Sequence, residues 1–211
     1  SDGYIVSYWH EGGFTEGQIV TCRIVVKDYL GNKLDFTWTF TATLADSFTM
    51  ALHNGWNLIS FPLVPLDSSV ENLLSSISGT WDVVKWYDPC DPMDPWKSYR
   101  VGGYINDLTD IDNTMGFWLH VTDSTDNLII YGNEPVSTNI HLKAGWNLVS
   151  YPSQIQKKVS EALWGTGADR VEAFNAASPY FISEVGPTYI MKPGEGYWVH
   201  VPADSVWIVN Y

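Results

Sequence analysis

Short apolar runs, separated by Gly, Asn, Asp and Pro, follow one another along most of the chain. Residues 56–61 are apolar on both faces and end at Pro62, which predicts a buried central strand. Four other runs are rich in β-branched and aromatic side chains, as strands are. These runs are residues 83–87, 117–121, 128–131 and 206–209. The pattern therefore predicts an all-β fold.

An internal repeat organises most of these runs. Its clearest marks are the block G-W-N-L-[IV]-S-[FY]-P and the block G-[FY]-W-x-H-V, each present twice and in the same order. The matched segments are 54–62 with 144–152, 70–74 with 159–163, 84–88 with 171–175, and 116–121 with 196–201. The repeat predicts two modules, residues 48–133 and residues 138–211. The first is longer, largely because of an Asp- and Pro-rich stretch at residues 88–95.

Each copy also predicts one short helix. In the first copy, Ser68 and Ser69 supply N-cap chemistry with a nearby acid. The apolar residues that follow fall on one helical face, and the second copy repeats their spacing. They are Val70, Leu73, Leu74 and Ile77 in the first copy, and Val159, Ala162 and Leu163 in the second.

Residues 1–45 have a different pattern. Residues 4–9, 19–27 and 36–43 predict three strands, with a hairpin loop at residues 28–32 (DYLGN), because Gly and Asn tolerate a positive φ. Three strands are too few to close a sandwich, since both faces of a sheet must find partners.

Two resemblances follow from these motifs. Residues 25–28 (VVKD), 31–34 (GNKL) and 38–41 (WTFT) resemble the last strands of Ig-like domains in bacterial and archaeal S-layer and surface proteins. That likeness implies that residues 1–45 are the C-terminal part of such a domain, whose earlier strands precede residue 1. The open sheet would then pack on the repeat modules, or self-associate with another copy of the chain through its edge. Upstream domains of the parent protein are a further expected partner.

The two modules resemble repeats at the C-terminal ends of secreted archaeal and bacterial proteins, over residues 48–211. This resemblance implies a β-rich sandwich or barrel-like module in an extracellular or cell-surface protein. Such modules accompany Ig-like domains, proteases and polysaccharide-active enzymes, and no catalytic residues carry over from them.

Charge, hydropathy and missing motifs argue against several classes of function. The 211 residues carry a formal net charge of −13, which opposes nucleic-acid binding. No apolar run approaches the ~20 residues of a membrane span. Motifs such as G-x-S-x-G, H-E-x-x-H and the P-loop are absent from the sequence. We therefore expect a protein that is not an enzyme.

The motif Trp-x-His occurs in both copies and is the strongest candidate for binding. Residues two apart in a strand share a face, so Trp118 lies with His120 and Trp198 with His200. A Trp ring suits the apolar face of a sugar, and His can hydrogen-bond a hydroxyl. The alternatives are that each Trp packs under a loop or against the other copy, or that the two His bind a metal.

The Asp- and Pro-rich stretch offers a second candidate. Asp88, Asp91 and Asp94 could supply oxygens to calcium, a possible cofactor. The alternative is a solvated acidic loop. A further acidic group of Asp107, Asp110 and Asp112 lies nearby in the sequence, and neither group matches an EF-hand.

Trp96 and Tyr99, beside this stretch, form either an exposed aromatic platform or a loop anchor. Cys22 and Cys90 allow one disulfide, or they remain two free thiols.

The sequence thus favours a non-catalytic structural or adhesive accessory module of a larger surface or secreted protein. The alternative is a carbohydrate-binding module attached to a polysaccharide-active enzyme. Exposed rings at Trp96, Tyr99, Trp118 and Trp198 would favour the alternative.

Overall fold

The computed structural model describes residues 14–15, 17–27, 29–42, 45–123, 127–177 and 181–210. The chain divides into two compact units, Ser1–Ala45 and Asp46–Tyr211. Both repeat copies therefore lie in one unit.

The first unit contains an antiparallel hairpin of β1 (Ile19–Lys27) and β2 (Lys33–Thr41), in which Ile19 lies opposite Thr41. Gly31, in the connecting turn, has a φ of +85°, a conformation that glycine adopts without strain. The predicted hairpin is confirmed, and the strand predicted at residues 4–9 lies outside the described residues. Every residue of β2 is exposed.

In the second unit, the described residues of the first copy form seven strands and two short helical segments. They are β3 (Asp46–Met50), β4 (Gly55–Ile59), β5 (Val64–Pro65), α1 (Val70–Leu73), a 3₁₀ turn (Ser75–Ile77), β6 (Trp81–Tyr87), β7 (Trp96–Arg100), β8 (Phe117–Val121) and β9 (Leu128–Asn133).

The described residues of the second copy follow the same order with one more short strand. Its elements are β10 (Ser137–Leu142), β11 (Gly145–Ser150), β12 (Lys157–Lys158), α2 (Val159–Ala162), β13 (Arg170–Asn175), β14 (Phe181–Glu184), β15 (Ile190–Met191), β16 (Gly196–Val201) and β17 (Ser205–Asn210).

Each copy is centred on a four-stranded antiparallel sheet with the same topology, β4-β8-β6-β7 in the first and β11-β16-β13-β14 in the second. Smaller sheets, β3-β9-β5 in the first copy and β10-β17 in the second, pair the outer strands. None of the sheets formed by the described residues closes into a barrel, so the all-β prediction is confirmed as a sandwich arrangement. Within the described residues, no helix has the length and apolarity to cross a membrane.

The predicted central strand at residues 56–61 is instead an edge strand, since β4 pairs only with β8 within its sheet. It is nevertheless apolar on both faces for a physical reason. Leu58 shares the outer face with Trp56, and the second copy covers it at Gly196, so Leu58 is buried.

Each copy has its own core beneath the inner face of its sheet. The predicted helical stripe is confirmed, because Val70, Leu73, Leu74 and Ile77 are all buried. The helix itself is one turn long, and the 3₁₀ turn continues the stripe.

The two copies pack against each other around an approximate two-fold axis. The backbone N–H of Ser60 donates to the Gly194 carbonyl (2.9 Å), and the N–H of Ser150 donates to the Thr114 carbonyl (3.0 Å). These four residues are two equivalent pairs in the repeat, so each bond is the image of the other. The β-bridge between Ile59 and Glu195 is likewise the equivalent of the β-bridge between Val149 and Met115.

Two glycines allow this close approach. A Cβ on Gly116 would lie 2.3 Å from the Val149 carbonyl oxygen, and one on its counterpart Gly196 would lie 2.8 Å from that of Ile59. Neither glycine has a positive φ. Space, rather than backbone conformation, therefore requires glycine at both positions.

Candidate functional site

The outer faces of the two main sheets carry the Trp-x-His motifs. Along β8, Phe117, Leu119 and Val121 are buried, whereas Trp118 and His120 are partly exposed, and β16 has the same alternation. The prediction that Trp and His share the less buried face is confirmed in both copies.

Around the two-fold axis these outer faces form one surface of packed rings, which we call the aromatic face. Trp118 contacts Phe174 of the second copy (ring centroids 4.8 Å apart), and Trp198 contacts Tyr87 of the first (5.2 Å). Each also packs edge-to-face on the Trp of its own G-W-N motif. The aromatic face comprises Trp56, Tyr87, Trp96, Trp118, Trp146, Phe174 and Trp198.

The structure therefore combines two of the alternatives that the sequence left open. Trp118 and Trp198 do pack against the other copy, yet neither is buried. Trp96, which contacts Trp198 at 5.8 Å, is 43% exposed, and Trp56 is 38% exposed. Rings that hold one another edge-to-face keep fixed orientations while still presenting apolar surface to solvent.

Each His is held by an Asp from the neighbouring strand or the turn before it. His120 Nδ1 lies 2.7 Å from Asp82 Oδ1, and His200 Nδ1 lies 2.6 Å from Asp169 Oδ1. The hydrogen bond with His200 is the main cause that lowers the pKa of Asp169. The His rings also pack on Trp56 and Trp146, so these pairs fix the position of the Trp rings.

Two adjoining cavities open on the aromatic face. The larger, of about 590 Å³, is lined by Trp198, Trp146, Arg170, Glu172 and other residues. The smaller, of about 440 Å³, is lined by Trp56, Lys85, Trp96 and Trp118. Trp96 and Trp118 line both cavities, and both volumes fall within the range of about 300–1,000 Å³ that is typical of small-molecule sites.

The charged residues of the two cavities differ. In the larger cavity, Arg170 lies 5.0 Å from the Trp146 ring centroid and forms ion pairs with Glu184 (3.0 Å) and Glu172 (3.6 Å). In the smaller cavity the one charged lining residue is Lys85, for which no ion pair is formed within the described parts of the chain. Lys85 and Glu172 occupy equivalent positions of the repeat.

Of the residues predicted from the sequence, Trp96, Trp118 and Trp198 come together, and Tyr99 does not join them. Tyr99 lies opposite Val84, a core residue, so it is on the inner face of the sheet. Its hydroxyl donates to Glu71, and this hydrogen bond is the main cause that raises the pKa of Tyr99. Tyr99 therefore links α1 to the sheet, a role that differs from both the exposed platform and the loop anchor predicted from the sequence.

The acidic stretch is arranged around a lysine. Lys97 Nζ lies 2.8 Å from Asp91 and 3.7 Å from Asp94, while Asp88 accepts a hydrogen bond from the backbone N–H of Cys90. The hydrogen bond from Lys97 lowers the pKa of Asp91. Across the described residues, no three His, Cys, Asp or Glu side chains converge as a metal site would require, so the three candidate calcium ligands do not form one, and neither His120 nor His200 belongs to a group of three.

The candidate disulfide pair is present as two thiols. Cys22 is partly exposed and Cys90 is exposed, and both are free.

Four residues of the aromatic face and its cavities were not predicted from the sequence: Lys85, Glu172, Tyr87 and Phe174. The repeat contains the signal that would have found them, because VKWYD aligns with VEAFN and alternate residues of a strand share a face. That rule places Lys85 with Tyr87, and Glu172 with Phe174. What the sequence does not contain is the two-fold packing that joins the two faces.

Comparison with protein-family models, with curated proteins and with solved structures gives no match for this chain.

Proposed function

We propose that this protein is a non-catalytic module that binds a polysaccharide on the aromatic face and so attaches a larger protein to a glycan surface. The observation that carries the proposal is the set of partly exposed Trp rings around two adjoining cavities. It combines the adhesive role with the carbohydrate-binding role that the sequence offered as alternatives.

The chemistry of the aromatic face suits a sugar. The C–H groups on one side of a pyranose ring are apolar and stack on flat aromatic rings, whereas its hydroxyls need hydrogen-bond partners at the rim. The cavities supply both, with Trp96 and Trp118 as shared walls and Arg170, Glu172 and Lys85 as polar groups. An enzyme that cleaves a glycan would also need a suitably placed acid pair, and the function we propose requires none.

Trp96→Ala is expected to weaken polysaccharide binding at least tenfold, because the change removes a wall shared by both cavities. Losing a stacking contact of this kind costs about 1.4 kcal/mol or more. The measurement is retention on insoluble cellulose, chitin, xylan and cell-wall preparations, followed by titration against whichever of them binds. Trp96 is preferred to Trp118 for this test, because Trp96 is exposed, whereas Trp118 is only partly exposed and packs on both Trp56 and Phe174.

The matched control is Trp164→Ala. Trp164 is 87% exposed and lines neither cavity, so this variant should bind as the unmodified protein does. Equal binding by the Trp96 and Trp164 variants would reject the aromatic face as the site, and retention on none of the materials would reject the function.

The same proposal places the protein outside the cell, as part of a larger surface or secreted protein. Support comes from the low charged fraction of 17% with 11 Trp, and from the exposed apolar side chains of the β1–β2 hairpin, which suit a junction with a further domain. Protease accessibility on intact cells tests the location, since an extracellular module is cleaved without lysis.

A further inference from the structure

The aromatic face is nearly symmetric in its rings and opposite in its charges. Trp56, Trp118 and His120 of the first copy repeat as Trp146, Trp198 and His200 in the second. Lys85 and Glu172, in contrast, carry charges of opposite sign at equivalent positions of the repeat. In the strand pairing, Lys85 lies across from Trp118, and Glu172 lies across from Trp198. A ligand would meet similar stacking surfaces in both halves but different polar partners.

From this asymmetry, and resting on the proposed function, we infer that the aromatic face binds a polysaccharide bearing scattered uronic acid groups, with one carboxylate at Lys85 and a neutral sugar unit beside Glu172. The chain would then bind in one direction only, because reversing it would place the carboxylate against Glu172.

Lys85 is suited to this role because its charge is available. Arg170, the cation of the other half, already has two carboxylate partners and a Trp ring. Lys85 is exposed, lines a cavity whose other walls are Trp rings, and forms no ion pair with the described residues although the chain has 24 acidic residues. A carboxylate beside Lys85 gains a charge-assisted hydrogen bond next to an apolar wall.

The net charge of the protein limits how acidic the ligand is. At −13, the protein repels a polymer that carries a charge on every unit, particularly at low ionic strength. One available lysine therefore points to a sparsely charged chain, such as a xylan with glucuronate side groups, rather than to a polyuronate.

The test compares each acidic polymer with its own carboxyl-reduced form, so that only the charge differs. Glucuronoxylan and hyaluronan are titrated into the unmodified protein as two such pairs. We expect at least one native polymer to bind about tenfold more tightly than its reduced form, the scale of one hydrogen bond to a charged group. Lys85→Gln should abolish that difference, so that this variant binds the native and the reduced polymer with equal affinity.

Two control variants isolate Lys85. Lys157→Gln removes the same charge from a residue that lines neither cavity, and should keep the preference for the acid form. Glu172→Gln should keep it too. Equal affinity for native and reduced polymers, or a preference for the acid form that survives Lys85→Gln, would overturn the inference. In that case, binding to neutral cellulose, chitin or xylan would still support the proposed function. Binding to no polymer would reject both the inference and the proposed function.

Discussion

Gly116→Ala is expected to lower the free energy of unfolding by about 3 kcal/mol or more, because the added methyl group has nowhere to go. Its Cβ would lie 2.3 Å from the Val149 carbonyl oxygen and 2.7 Å from the carbonyl carbon. Both atoms belong to the backbone of β11, so relief requires the two copies to move apart. Overpacking in a well-packed core commonly costs about 1–3 kcal/mol and occasionally more, and a clash with backbone atoms lies at or above the upper end of that range.

Thermal unfolding followed by circular dichroism measures this loss, which corresponds to about 6–12 °C for a unit of this size. Gly196→Ala should show a smaller loss, because its nearest contact is 2.8 Å and two of the three atoms that it meets belong to the Leu58 side chain. Gly186→Ala meets nothing within 4 Å and serves as the control, with a melting temperature near that of the unmodified protein. A Gly116 variant that melts with the control would show that the copies do not pack as described.

Asn147→Ala is expected to cost about 3 kcal/mol, through the loss of the hydrogen bonds that shape the turn before β11. Asn147 is buried; its Oδ1 accepts from the Lys143 N–H (2.8 Å), and its Nδ2 donates to the carbonyls of Lys143 (2.8 Å) and Gly145 (3.1 Å). Alanine leaves these backbone groups without partners, at a cost of about 1–3 kcal/mol for each buried group.

Asn57→Ala, the same change in the first copy, should be destabilising as well, since Asn57 makes equivalent hydrogen bonds to His53 and Gly55. Denaturant titration gives the free energies, and Asn139→Ala at an exposed position of β10 is the control, with an expected change within about 0.5 kcal/mol. If Asn147→Ala behaved like Asn139→Ala, the side chain would not be holding the turn.

The strands and helices were predictable because their signals are local. Alternation along β8 and the apolar spacing around α1 depend only on neighbouring residues, and the repeat allowed each copy to check the other. The prediction that β4 is the central strand of its sheet was wrong, and the local sequence pattern could not have shown this. Both faces of β4 are apolar because the other copy covers the outer one, and burial of the two faces does not determine whether one strand or two flank β4 within its sheet.

The candidate site was predictable only in part. Trp118, Trp198 and Trp96 were singled out as residue types that suit sugars, whereas Tyr99 was misplaced by sequence proximity. Trp96 and Tyr99 are three apart in one strand, and an odd separation puts them on opposite faces. Lys85 and Glu172 are important because they line neighbouring cavities, a relation between residues 87 positions apart that only the folded chain reveals.

The approximate two-fold axis has an evolutionary consequence. The backbone contacts between the two halves occur in pairs, and the repeat relates the two members of each pair. Such reciprocal contacts are typical of an isologous homodimer, in which both subunits use the same surface. An ancestral gene encoding one copy would have supplied both sides of the interface. Duplication and fusion of such a gene would make the pairing intramolecular, independent of protein concentration. A fused chain is also free to diverge between its halves, since a homodimer must place the same residue at the positions of Lys85 and Glu172, whereas this chain carries a different one at each.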